Sequence, residues 1–120
     1  MSIFTKSLKT FKSDITGKEE SYKINVAIQA KLESMYNLTL ADLNGEDVSD
    51  LELSKFVHAV MLANDKEVTL EEIVDHVASF DLFEFMTNYN LVNNENFTLA
   101  TERLKVKTEA KLKQAEKNKN

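Results

Sequence analysis

Apolar residues recur at helical intervals along most of this chain, beginning near residue 25. Asn25 stands where it can cap a helix whose Ala27, Ile28, Leu32, Met35 and Tyr36 share one face. Leu38, Leu40 and Leu43 follow in a connector that closes at Asn44-Gly45, a turn or helix stop. Ser49 or Asp50 starts a second helix that runs to about Ala63, with Leu53, Phe56, Val57 and Val60 as its main stripe. Leu51, His58 and Leu62 make a second stripe on nearly the opposite side, which places this helix at the centre of a bundle. After the polar loop Asn64-Asp65-Lys66, Thr69-Leu-Glu-Glu72 reads as a capping box. The helix it opens has Leu70, Ile73, Val74, Val77 and Phe80 as its expected buried face. Asp81-Leu-Phe-Glu84 repeats the capping chemistry, so the chain is expected to turn near Ser79 to Asp81 and begin a fourth helix. There Leu82, Phe85, Met86 and Tyr89 share a face, and Phe83 points away from it.

The two ends are written differently. Phe4, Leu8, Phe11 and Ile15 have helical spacing, yet Tyr22, Ile24 and Val26 alternate, and Asp14-Ile-Thr-Gly17 is turn chemistry. A short hairpin running into the first helix reconciles these better than a helix does. Beyond the polar break Asn93-Asn94-Glu95-Asn96, Thr98 caps a last helix. Its Leu99, Val106 and Ala110 form one thin stripe, Leu104 and Ala115 another, among good helix formers but with few large apolar groups. Such a helix is expected to project or fray unless a partner completes it. The pattern therefore predicts a mainly α protein, a small bundle of four to five helices with a short N-terminal β-hairpin. Residues 1–97 make the body, with a hairpin or extended segment over 1–24, and residues 98–120 make a basic C-terminal helix or tail.

Charge is sorted along this framework. From Asp42 to Glu84 there are twelve acidic residues against two lysines, a net of −10. From Arg103 to Asn120 there are seven basic residues against two glutamates, a net of +5. Much of the acidic block falls at expected helix N-termini, where the helix dipole favours carboxylates. The basic tail has no comparable local duty. At 120 residues, with 42% apolar and 29% charged, the chain has the make-up of one globular domain. No apolar run approaches the roughly 20 residues a spanning helix needs, and MSIFTKSLKTF lacks the pattern of a signal peptide. The absence of cysteine fits a reducing cytoplasm.

Catalytic chemistry is hard to assemble from these residues. The two histidines, His58 and His76, sit on different helices. His76 has Glu72 four positions before it, but a catalytic zinc wants three protein ligands. A local pair is the expected role of His76, and a satisfied core or interface histidine that of His58. Aligning Gly45 with the glycine of a calcium loop puts Leu40 and Leu51 at its first and last ligand positions, so that reading fails. Glu71-Glu72 and Asp81 with Glu84 read as caps rather than as acid–base pairs, and no glycine-rich phosphate loop exists. The chain is therefore expected to be no enzyme and to need neither metal nor cofactor. The net charge of −5 argues against nucleic acid, and the tail's lysines are spread around their helix with no aromatic between them.

From about Ile24 to Val92 the order of features resembles the tail assembly chaperones of long-tailed (siphovirus-type) bacteriophages, especially those of Gram-positive hosts. The stretches that carry it are IQAKLESMYNLTLADL and LELSKFVHAVMLANDKEVTLEEIVDHVASFDLFEFM. The first 23 residues have no counterpart in that resemblance. It implies a small helical protein that acts in the host cytoplasm and is absent from the finished virion. Such a protein binds the tape-measure protein, keeps it soluble and brings tail-tube subunits to it. It also implies that a longer frameshifted product can exist. A chaperone of helical clients needs an exposed apolar strip inside a charged surround. Phe83, with Phe80, Met86 and Tyr89 beside it, is the candidate strip, against the alternative that all four are core. Arg103, Lys107 and Lys111 of the tail form a second candidate contact, with an acidic partner or a neighbouring copy. Two other readings compete: a connector or adaptor built into a phage particle, and an acidic regulator that mimics nucleic acid.

Overall fold

The computed structural model describes residues 2–44 and 47–93. Two strands, β1 (Thr10–Ser13) and β2 (Glu20–Lys23), pair antiparallel, with Phe11 opposite Tyr22. Four helices follow: α1 (Val26–Tyr36), α2 (Asp50–Ala63), α3 (Leu70–His76) and α4 (Ser79–Asn93), with a 3-10 turn at Ala41–Leu43 after α1. The protein is thus mainly helical with a small N-terminal hairpin, as the alternation of Tyr22 and Ile24 indicated. The hairpin bends at Gly17, whose φ of +101° few side chains tolerate and whose N–H donates to the Asp14 carbonyl at 2.8 Å. β2 ends at Lys23, earlier than the alternation suggested, and Val26 is the exposed first residue of α1. The fifth helix expected from Thr98 lies outside the described residues.

Caps explain where the helices start and stop. Ser49 accepts from the Glu52 N–H at 3.1 Å while the Glu52 carboxylate accepts from the Ser49 N–H at 3.2 Å, a complete capping box. At Thr69 the hydroxyl accepts from the Glu72 N–H at 3.1 Å and donates to the Glu72 carboxylate at 3.3 Å. Asn25 holds the cap position of α1 without a side-chain bond to the helix. α1 closes on Asn37, which takes the left-handed conformation at φ 54° while Leu38 N–H reaches the Leu32 carbonyl at 3.2 Å. Asp81 is not the start of the fourth helix but its first turn, because Asp81 and Leu82 both donate to the Ala78 carbonyl. Five acidic residues, Asp50, Glu52, Glu71, Glu72 and Asp81, occupy first helical turns.

α2 is central: it packs against α1, α3, α4 and β2. Leu53, Phe56, Val57 and Val60 are buried, and so are Ala59, Met61 and His58. The core is aromatic where the hairpin meets α4. Phe85 sits 5.1 Å from Phe11, 5.5 Å from Tyr22 and 6.0 Å from Phe56, all edge-to-face, and Tyr89 lies 4.9 Å from Phe56. Side-chain amides fasten the hairpin to the helices. Asn64, at the end of α2, accepts from Lys23 N–H at 2.6 Å and donates to the Lys23 carbonyl at 3.2 Å, standing in for a third strand. Asn88 of α4 donates to the Lys12 carbonyl at 3.2 Å.

Two predicted apolar faces are corrected. In α1 only Ile28 and Leu32 are fully buried, and Met35, in the last turn, is exposed. In α3 only Ile73 is buried; Val74 is half exposed and Phe80 belongs to α4. The reason is α3's length of seven residues, with Val77 already extended, so the helical phase does not carry through to Phe80.

His58 fills the satisfied core role expected of it. Its Nε2 meets the Val68 carbonyl at 2.9 Å, and its Nδ1 meets the Tyr36 hydroxyl. A carbonyl can only accept, so Nε2 carries the proton and Nδ1 accepts from the tyrosine. Tyr36→Phe should therefore leave a buried nitrogen unpaired and cost about 1–2 kcal/mol. A lower midpoint in urea at unchanged m-value would register this; an unchanged midpoint would discount the bond.

Tyr22 makes stability sensitive to alkali. Burial, and then its hydrogen bond to the Glu20 carboxylate, push its pKa up to about 12. In the unfolded chain the phenol ionises near 10, so the unfolded state sheds its proton first. Stability is full below pH 10 and falls as pH rises towards 12, by on the order of 2–3 kcal/mol from this residue. Burial raises Tyr36 and Tyr89 in the same direction. Tyr22→Phe should flatten the alkaline limb between pH 10 and 12 in denaturation curves, and an unchanged slope would count against the assignment. On the acid side, Lys66 first and Thr16 second hold the Glu20 carboxyl below its usual range.

Candidate functional site

α4 is apolar on two opposite sides. One side, Leu82, Phe85, Met86 and Tyr89, is buried against α2 and the hairpin. The other carries Phe80, Phe83, Thr87 and Leu91, at i, i+3, i+7 and i+11, one face by helical geometry. Phe80 is 71% exposed, Phe83 64% and Leu91 69%. The Thr87 hydroxyl turns back to donate to the Phe83 carbonyl at 2.9 Å, so it does not interrupt the stripe with a free polar group. From Phe80 to Leu91 the stripe runs about 16 Å along the helix axis.

The structure separates the four residues of the expected strip by burial. Phe80 and Phe83 are on the surface together, while Met86 at 5% exposure and Tyr89 at 1% are core and leave the candidate site. At 100° per residue Met86 lies about 60° and Tyr89 about 120° around the helix from Phe83, both turned towards the core. Arg103, Lys107 and Lys111 lie outside the described residues. Leu91, eight residues after Phe83, extends the stripe beyond the expected strip, past the polar Asn88 and Asn90.

α4 itself is acidic, while Lys12 and Lys18 of the hairpin line a pocket beside Glu84. α4 contains Asp81 and Glu84 and no lysine or arginine. Its N-terminus is held to α2 by Ser79, whose hydroxyl donates to the Asp50 carboxylate at 2.9 Å. Beside it, Leu51 of α2 and Val74 of α3, each about half exposed, share a shallow cleft of about 170 Å³. A larger cleft of about 390 Å³ opens between the hairpin turn, α2 and α3, floored by Ile15, Val57, Met61, Ile73 and Val77. Glu72 and His76 stand among its lining residues. Among the described residues no three His, Asp or Glu side chains come together as a metal ion would require. Nor is any described helix long and apolar enough to cross a membrane.

Chemically, then, the surface offers rigid aromatic anchors on a helix, framed by carboxylates. That arrangement suits an amphipathic helix with basic flanks. No protein family, curated protein or solved structure matches this chain.

Proposed function

We propose that this protein is a non-enzymatic binding protein for helical protein clients, a tail assembly chaperone of the long-tailed phage type. On this reading it holds the tape-measure protein soluble in the host cytoplasm and helps bring tail-tube subunits to it. The observation that carries the reading is the outward stripe of Phe80, Phe83 and Leu91 on α4, opposite that helix's own core face. Monomeric surfaces rarely leave two phenylalanines and a leucine aligned on one helix without an occupant. Helix-in-groove recognition uses anchors at this spacing. The resemblance of residues 24–92 to such chaperones supplies the identity of the client, a long helical polymer prone to aggregate. The acidic frame of the stripe would keep the free chaperone from aggregating through it.

Co-expression with the tape-measure protein encoded in the same genome tests this. The expected result is a soluble tape-measure protein that co-purifies with this chain. A tape-measure protein that stays in the pellet, or is soluble without this chain, would remove the proposal.

A further inference from the structure

We infer that the outward face of α4 is covered, in the absence of a client, by the basic segment 98–115 of the same chain. Three observations lead there. The first is length: in the helix the sequence predicts there, Leu99, Val106 and Ala110 would share one face, with the eleven-residue separation that Phe80 and Leu91 have. The second is connectivity. The sequence sets only the polar break Asn93-Asn94-Glu95-Asn96 between α4 and the cap residue Thr98, a length that suits an αα-hairpin. A segment tied so closely meets the face at a local concentration in the millimolar range. The third is charge. Asp81 and Glu84 border the stripe on a helix with no cation, and Arg103 and Lys107 border the Leu99 to Ala110 stripe.

A second copy docking face to face is the poorer occupant, because both helices would bring Asp81 and Glu84 and neither a cation to offset them. The thin stripe of the segment suits a reversible cover. Leu99 and Val106 meet large rings through modest area, so a client helix with bulkier anchors displaces it. The basic segment thereby becomes an intramolecular competitor that shields the aromatics and sets a threshold for client affinity. This rests on the reading of the α4 face as a helix-docking surface, but its test needs no client. A failed cross-link leaves co-purification with the tape-measure protein to be judged separately.

The chain has no cysteine, so a pair introduced into it is unique. Thr87→Cys with Val106→Cys, in the full chain, is treated with a short bismaleimide linker. The control pairs Thr87→Cys with Thr108→Cys, on the opposite side of the predicted helix. The expected result is cross-linked monomer at about tenfold higher yield for the Val106 pair than for the control, independent of protein concentration. Adding Phe83→Asp, at an exposed position that does not hold the fold, should bring the yield down to the control. Equal yields for both pairs, or a yield unaffected by Phe83→Asp, would overturn the inference. Cross-linked dimers that grow with concentration would overturn it too, in favour of a second copy as the occupant.

Discussion

Phe85→Ala should destabilise the protein by about 3–5 kcal/mol, a large part of the 5–15 kcal/mol that holds a domain of this size together. Phe85 is fully buried and touches Phe11, Tyr22 and Phe56 edge-to-face, so one ring joins the hairpin, α2 and α4. Removing it takes away the transfer free energy of the ring. It also leaves a void lined by three aromatic side chains from three different elements, which cannot collapse together without moving backbone. A fall in Tm of roughly 15–30 °C is expected by calorimetry. Phe83→Ala, two residues away but on the solvent side, should change stability by no more than about 0.5 kcal/mol. A loss below about 1 kcal/mol for Phe85→Ala would mean that the hairpin is not docked through this ring.

The second large effect is on binding. Phe80→Ser with Phe83→Ser should leave the melting curve in place and lower client affinity at least about 100-fold. Aromatic anchors at the centre of an interface cost about 2 kcal/mol or more each when truncated, and 2.7 kcal/mol corresponds to a hundredfold. Both rings lie outside the core of the body, at 71% and 64% exposure, so the fold gives up little when they go. Co-purification with the tape-measure protein, measured beside thermal denaturation of the same variant, separates the two quantities. Undiminished co-purification would move the client to another surface, and the 390 Å³ cleft between the hairpin turn, α2 and α3 would be the next to examine.

These variants also mark how far the sequence could be read. Helix α2 was legible almost residue for residue, since its cap at Ser49, its stripe and its end at Asn64 are all written locally. Its complete capping box, Ser49 with Glu52, has the same Ser/Thr-x-x-Glu spacing as Thr69 with Glu72. The hairpin was legible as alternation, though not its attachment, which depends on Asn64 and Asn88, residues 41 and 76 positions away from their backbone partners. The satisfied state of His58 matches its expected role, although of the second stripe Leu51 is half exposed and only His58 is buried. Its partners, Tyr36 and the Val68 carbonyl, were not legible, because they arrive from other elements.

The candidate face shows the same division most clearly. The local period of α4 was enough to turn Phe83 away from the face that Leu82, Phe85, Met86 and Tyr89 share. It was not enough to say which of the two sides is covered, nor to which helix Phe80 belongs. Those depend on where α3 breaks, at Val77, and on the hairpin and α2 supplying rings to one side of α4 and not to the other. Periodicity, caps and turn residues are interactions among neighbours within about four positions, and a chain carries them in its own order. Burial is a relation between distant segments. Packing alone therefore sent Met86 and Tyr89 into the core and left Phe80, Phe83 and Leu91 facing outward.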